Sequence, residues 1–394
     1  MLSSSLFSQG PIKGQVLDSF TTEPLRYASI QIVSKHSGTV TDSQGFYLFS
    51  DLSPGDSLKF SYLGYESQTL SFMMLKDKPT ILLIPTIVLG PEVVIRPLDP
   101  ETYLKRVIQS FALNYPQEPY ELYSYYTERI TENGRLLDHA EAGFYSQIDE
   151  ATMDTQHQLI LYHQAELSEL EFMRKTAEKQ KAKYIKKHPE DTEAADNNAL
   201  IQADFGGPDL LLEMGVTSGK IHPLDSTRFR DFRYSYGSNS SFMGQEVITI
   251  AYSSRGKDDQ MRKEGLIYID QETDAIVAVK ESGKLVIPAL LKPILFAMGI
   301  EISNPVYHMD LRYRPYQGRW FMEQLHWDVD FGMKKRHWFK ENEKSRFYIA
   351  QTMLGREIGL GWSRTIETEQ VFDKEEAMEK QVAPFSGVGW EDIR

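Results

Sequence analysis

Two regimes of hydrophobic patterning divide the chain. From residue 11 to 97, apolar and polar positions alternate in short bursts, as in Ala28-Ser-Ile30-Gln-Ile32-Val33 and Leu58-Lys-Phe60-Ser-Tyr62. Turn clusters interrupt these bursts: Asp18-Ser19, Ser37-Gly38, Asp42-Ser-Gln-Gly45, Ser53-Pro-Gly55-Asp56 and Leu63-Gly64. Period two marks half-buried strands, and strands spaced by turns at roughly ten-residue intervals predict a small antiparallel β-sandwich. In Thr41–Tyr47, Asp42 is placed to accept backbone N–H bonds across a turn and Gly45 to take positive φ, with Phe46 or Tyr47 re-entering the sheet.

A Pro-bearing junction, Gly90-Pro91 to Pro97-Leu98, separates this region from a second one covering 98–394. There Asp99 precedes Pro100, and Leu104, Val107, Ile108 and Phe111 follow at helical spacing, which predicts a capped helix ending at Asn114-Tyr-Pro116. Tyr120–Ile130 and Leu136–Gln147, joined across Asn133-Gly134, read as a strand pair. Glu246–Tyr252, Glu264–Asp270 and Ala275–Lys280 read as a meander with Gln271–Asp274 as its tight turn. Between about 165 and 199 the composition turns to Lys, Glu and Ala. A charged helical insertion is expected there, with a solvated face weighed against a basic patch for acidic lipid or nucleic acid.

A final hairpin about Tyr316-Gln317-Gly318, taken as a three-residue loop, would set Tyr313 against Phe321, Met309 against Leu325 and Tyr307 against Trp327. The same register sets His308, Asp310, Arg312 and Arg314 against His326, Gln324, Met322 and Trp320. One face is then apolar and aromatic, the other polar. The polar face holds the candidates for chemistry: His326, Asp328 and Asp330 as catalytic groups, and His308, Asp310 and His326 as metal ligands. The competing expectation is a hydrated face of an antiparallel sheet with no site. His-Glu-x-x-His, Gly-x-Ser-x-Gly, a phosphate loop and Gly-x-Gly-x-x-Gly do not occur, and no cofactor is expected.

Composition narrows the classes. Of 394 residues none is cysteine, which removes disulfides, thiolate metal sites and a cysteine nucleophile. A net charge of −13 argues against a broad nucleic-acid footprint. No apolar run reaches the roughly 18–20 residues of a spanning helix; Ile287–Ile300, broken by Lys292 and Pro293, reads as a core or interfacial helix. Residues 1–10, Met1-Leu-Ser-Ser-Ser-Leu-Phe-Ser8-Gln9-Gly10, read as a signal-peptide remnant cleaved after Ser8, or as a tail.

Gly14-Gln-Val16-Leu-Asp18, Pro24-Leu25-Arg-Tyr-Ala28-Ser-Ile30, Gly38-Thr-Val40-Thr41-Asp42, Gly45-Phe46-Tyr47 and Gly64-Tyr65 stand in the order seen in carboxypeptidase-like regulatory domains. Residues 11–97 resemble these transthyretin-like sandwiches, common at the N-termini of Bacteroidetes envelope proteins, including TonB-dependent receptors. The resemblance implies a folding or docking accessory at the periplasmic side of the envelope, with no catalytic residues. The meander resembles, in pattern only, the half-barrel of periplasmic lipoprotein carriers, which implies an inner face for an acyl chain. The expected fold is mainly β with α: the sandwich followed by an α+β antiparallel half-barrel-like domain. The expected function is non-catalytic envelope binding or docking, to another envelope protein, a glycan or an apolar ligand, without nucleic acid or a transmembrane helix. A lipid or lipoprotein carrier and a hydrolase are its alternatives.

Overall fold

The computed structural model describes residues 12–33, 37–42, 44–49, 52–85, 98–149, 154–166, 186, 214–218, 221–237, 240–242, 245–255, 262–285, 300–336, 342–373, 378 and 381–382. The signal-like tail, the junction at 90–97, nearly all of the charged 165–199 segment and the apolar 287–299 segment lie outside them. The chain divides into two compact units between Ile95 and Arg96, with Ser238–Ile248 grouped with the first.

The N-terminal unit contains β1 (Ile12–Asp18), β2 (Ser29–Ile32), β3 (Ser37–Val40), β4 (Phe46–Phe49), β5 (Ser57–Ser61), β6 (Gln68–Ser71), a short helix α1 (Phe72–Asp77) and β7 (Thr80–Leu83). They form two sheets, β4-β1-β7 and β3-β2-β5-β6. Inward positions of both sheets, Val16, Ile30, Leu58, Phe60 and Ile81 among them, make one apolar core. β1 pairs with β7 in parallel, where the pattern predicts an all-antiparallel sandwich. The intervening chain of several strands supplies the long crossover that a parallel pair needs.

The turn chemistry follows the sequence. Asp42 accepts from the backbone N–H of Gln44 and Phe46 at 2.8 and 2.9 Å, and Gly45 holds a φ of 74°. Tyr47, not Phe46, enters the core. Its ring lies across Gly14, where a Cβ would collide with Pro79 O and the Tyr47 ring, and its hydroxyl donates to Pro79 O at 2.9 Å. Burial pushes that phenol up to about 12.

The second unit opens with α2 (Pro100–Gln109) and α3 (Phe111–Asn114). Asp99 caps α2 by accepting from the N–H of Glu101 and Thr102, and Tyr103, Leu104 and Val107 are its buried side chains. Along the rest of the chain come β8 (Tyr120–Glu132), β9 (Arg135–Asp149), β10 (Asp154–Glu166), β11 (Phe232–Tyr236), β12 (Ser240–Phe242), β13 (Gln245–Ser254), β14 (Lys263–Asp270), β15 (Ile276–Lys284), β16 (Ile300–Tyr316), β17 (Arg319–Lys335) and β18 (Glu343–Leu360), of which β12 and the start of β13 fall in the Ser238–Ile248 stretch. The main sheet runs β10-β9-β8-β18-β17-β16-β15-β14-β13-β11, with β12 folded back on β13. Bulges interrupt the register of five of its pairs and bend the long strands locally.

The two helices grip the β14–β15 turn. Tyr103 Oη and Arg106 reach Asp274 at 2.8 and 2.9 Å, Asn114 donates to Thr273 O at 2.9 Å, and Tyr115 donates to Ile276 O at 2.7 Å. Asp270 organises the turn itself, accepting from Glu272 N, Thr273 N and Thr273 Oγ1, while Asp274 adopts a φ of 58°.

The last hairpin is shifted from the sequence expectation. Its loop has two residues, Gln317 at φ 46° and Gly318 at φ 80°, so Tyr316 pairs with Arg319. That alone pairs Tyr313 with Met322; a bulge between Arg312 and Tyr313 then adds one residue, which pairs Tyr307 with Val329 and Met309 with Trp327. Beyond the bulge the total slip is two positions, so each side chain keeps its face.

Candidate polar site on the large sheet

The corrected register brings the marked residues closer than the expected one. His308 stands opposite Asp328, Asp310 opposite His326, and Arg312 opposite Gln324. β18 places Thr352 opposite His326, Ala350 opposite Asp328 and Tyr348 opposite Asp330. On the other flank β15 places Lys280 opposite Asp310 and Ser282 opposite His308. One face of four adjacent strands thus carries a continuous polar band.

This band is not a hydrated face. Asp310 is 4% exposed, His326 3% and Asp328 1%. A buried carboxylate must be paired or protonated, and each one here has a partner. Asp310 receives Arg312 Nε and Nη2 at 2.8 and 2.9 Å, a two-pronged bond within one strand, and Lys280 Nζ lies 3.8 Å away. Desolvation raises the Asp310 pKa, but Arg312, Lys280 and His326 together outweigh it and hold it below the ordinary value of 3.8.

Asp328 lies between two imidazoles. His308 Nδ1 is 3.1 Å from its Oδ1, and His326 Nε2 is 3.3 Å from its Oδ2, near enough for ion pairing but not aligned as a hydrogen bond. His326 Nδ1 in turn is 2.7 Å from Thr352 Oγ1. Asp330 stands apart at the rim, held by Arg346 at 2.7 Å. It does not join the other four.

As a catalytic set, Thr352, His326 and Asp328 have the order of nucleophile, base and orienting carboxylate. Thr352, however, is only 6% exposed, and a substrate carbonyl must reach its hydroxyl. As a metal set, His308, Asp310 and His326 do not converge, because both Asp310 oxygens are committed to cations. Among the described residues no group of three or more His, Asp or Glu side chains is disposed to hold a metal ion.

The apolar face has its own buried carboxylates, which the sequence pattern did not reveal. Glu281 accepts from Tyr307 Oη at 2.5 Å, Tyr252 Oη at 2.8 Å and Lys263 Nζ at 3.2 Å. Glu128 accepts from Tyr126 Oη and Gln351 Nε2, both at 2.9 Å. Burial first and the neighbouring carboxylate second push Tyr126, Tyr252 and Tyr307 far above the usual phenol range, so they remain donors. A polar residue at period two among aromatics was the available signal. Its cross-strand partners were not, because they come from strands distant in sequence.

The N-terminal unit is thus a two-sheet β-sandwich with turn-bound carboxylates. Residues 12–95 match the model of the CarboxypepD_reg-like domain family, which makes this unit a carboxypeptidase-regulatory-like domain. No curated protein matches the chain. Among solved structures, one described as an outer membrane lipoprotein-sorting protein domain from Vibrio parahaemolyticus is 10% identical, covering 68% of this chain and 95% of that one with a TM-score of 0.25. A DUF1329 family protein from Desulfovibrio piger ATCC 29098 is 10% identical, covering 68% and 96% with a TM-score of 0.25. A membrane-associated protein of unknown function from Bacteroides fragilis NCTC 9343 is 10% identical, covering 89% and 98% with a TM-score of 0.15. Scores this low carry neither fold nor function across. Among the described residues no helix is long and apolar enough to cross a membrane.

Proposed function

We propose that the protein is a non-catalytic component of the cell envelope that works by binding an apolar ligand or a neighbouring envelope protein. One observation carries the non-catalytic reading: Asp310, His326 and Asp328 are buried and tied to their neighbours, with Asp310 on Arg312 and Asp328 between His308 and His326. A polar band of this kind fixes strand register, because a slip would leave buried charges unpaired. The envelope reading rests on the signal-like tail and on the carboxypeptidase-regulatory-like domain. The apolar ligand is suggested by the opposite face, where Ile130, Val329, Phe331, Phe347 and Ile349 cluster and Trp327 and Met333 are only partly covered.

The test is fractionation of native cells with N-terminal sequencing, followed by native mass spectrometry of the purified protein. Export with a start at Gln9 and a copurifying lipid mass are the expected results; a cytosolic protein retaining Met1 would sink the envelope reading. The Thr352–His326–Asp328 order keeps a hydrolase as the second reading. A fluorophosphonate probe is expected to leave the protein unlabelled, whereas labelling lost in Thr352→Ala would establish the enzyme.

A further inference from the structure

Beyond β18 the chain turns back across the sheet it has just completed. Gly361, at a φ of 75°, donates its N–H to Pro119 O at 2.8 Å, and residues 363–372 then cross one side of β8, β9 and β10. Cross-strand pairing sets Glu121 against Gln147 and Tyr145 against Gln158, so these four side chains share that side. Each holds part of the segment. Glu121 Oε2 accepts from Ser363 N at 2.8 Å and from Ser363 Oγ at 2.7 Å. The Arg364 guanidinium lies 3.9 Å over the Tyr145 ring, Gln147 Nε2 donates to Arg364 O, and Gln158 Nε2 donates to Gln370 Oε1 at 3.0 Å. Phe372 then rounds β10, the last strand of the sheet. Its N–H donates to His157 O at 2.7 Å, and its ring meets Phe144 on the opposite side at 5.2 Å.

The sheet's half of this contact is braced by its own residues. Tyr145 Oη donates to Glu121 Oε2 at 2.7 Å, Gln147 Nε2 also donates to Tyr145 Oη at 3.2 Å, and the Tyr123 ring packs on Tyr145 at 5.0 Å. Gly359, the cross-strand partner of Glu121, leaves the space that the carboxylate fills, since a Cβ there would collide with Glu121 Oε1. Desolvation pushes the Glu121 pKa up, but Ser363, Tyr145 and Arg364 together outweigh it and hold it below the ordinary value of 4.5, so the acceptor stays charged. The segment's half is the reverse: Ser363, Thr365, Glu367, Thr368, Glu369 and Val371 stay exposed.

We propose that this side of β8–β10 is a peptide-binding site, that Ser363–Phe372 is its resident ligand in cis, and that an extended segment of a protein partner, with a hydroxyl residue followed by arginine, takes the same place. The seated segment states the chemistry. A charged carboxylate takes a main-chain N–H and a hydroxyl together, an aromatic face takes a guanidinium, an amide takes the arginine's carbonyl, and a strand edge takes one more N–H. A braced surface and an exposed occupant are what exchange requires: the partner meets a formed site, and the resident leaves without opening the core. The site stands whether or not the protein is exported or carries an apolar ligand, because it lies on the other side of the sheet from the apolar cluster.

Fluorescence anisotropy of a labelled synthetic peptide of residues 361–373, titrated with the full chain, tests it. A full chain carrying Ser363→Ala and Arg364→Ala has a weakened resident. It is expected to bind the peptide roughly tenfold more tightly than wild type, whose site is open only part of the time. A peptide bearing the same two replacements should lose about tenfold on either chain, the scale of a hydrogen bond to a charged group. In wild type, hydrogen exchange of 361–373 should run well ahead of β8 and β9 and quicken when unlabelled peptide is added. A peptide that binds neither chain, one that binds both alike, or one indifferent to its serine and arginine would each overturn the site. So would a segment that exchanges only with global unfolding, since that makes it ordinary core. A dimer that excess peptide dissolves would overturn the partner, by giving the site to the arm of a second copy.

Discussion

The sandwich places its buried carboxylates at strand ends, as the large sheet does with Asp270, whereas the large sheet also carries buried carboxylates in mid-strand. In the sandwich the acids sit where strands end and take backbone donors. Asp18 accepts from Phe20 N and Thr21 N at 2.7 and 2.9 Å on one oxygen and adds Tyr65 Oη at 2.5 Å on the other, and Asp56 accepts from Ser53 N at 2.8 Å. In the large sheet Glu128, Glu281, Asp310 and Asp328 stand in mid-strand, where the ladder has already consumed the backbone N–H groups. Their partners are side chains from neighbouring positions: tyrosine hydroxyls, a glutamine, a lysine, an arginine and imidazoles. Strand length explains the difference. Strands of four to seven residues are mostly ends, whereas the strands of nine to 17 residues that carry these four acids have interiors that no turn can serve.

The sharpest way to break this comparison is Arg312→Ala. It leaves Asp310 buried with only Lys280 at 3.8 Å and the His326 imidazole beside it, and breaking a buried pair costs about 3–5 kcal/mol. Denaturant unfolding followed by hydrogen exchange should show that loss in β15–β17 peptides and leave β2 and β5 unchanged. Replacing Asp310 and Arg312 together by Leu and Met should recover most of it, because the pair itself contributes little beyond satisfying each partner. Leu58→Ala is the mirror experiment. It opens a cavity in an apolar core at about 2–5 kcal/mol and should destabilise the sandwich alone. If either variant shifted both units equally, the two would not be energetically separate.

Acid sharpens the contrast further. The Asp310 pKa is held below 3.8 in the folded state, so its contribution is fully present above that pH and fades as pH falls through the folded value. In Arg312→Ala the balance shifts. Without the guanidinium, desolvation is opposed only by Lys280 and His326, so the folded Asp310 pKa rises and acidification should cost the variant less stability than it costs wild type. Parallel acid titrations of the two proteins, read at the same β16–β17 peptides, check this; curves that run parallel would mean Arg312 does not set the Asp310 charge.

How much of this was legible in the sequence follows the same division. The sandwich was readable because its chemistry is local: Asp42 and Gly45 lie within one turn, and both act as the spacing predicts. The parallel β1–β7 pair was not, since its register depends on long-range packing. In the large sheet, alternation correctly separated His326 and Asp328 from Leu325 and Trp327. It could not tell a buried polar face from a hydrated one, because a polar residue is written the same way in either. Nor could it place Thr352 or Lys280 beside the histidines and Asp310, since cross-strand neighbours are fixed by loop length and bulges. The two-residue loop and the bulge at Arg312 each moved the register by one position, and together they turned an expected His308–His326 pair into His308–Asp328.

The smallest effect completes the comparison through one substitution made at two places. Asp42→Asn keeps the oxygen that accepts from Gln44 N and Phe46 N, and water can reach both donors at this exposed turn. It should cost well under the roughly 1 kcal/mol expected of Asp42→Ala, which gives up the acceptor altogether. Asp310→Asn preserves the same oxygen but removes the charge that balances the buried Arg312 guanidinium. The identical change should therefore be several times more costly in the large sheet than in the sandwich, as urea midpoints of the two variants would show. Equal midpoint shifts would mean that the mid-strand carboxylates act only as hydrogen-bond acceptors, and that charge balance does not distinguish the two regions.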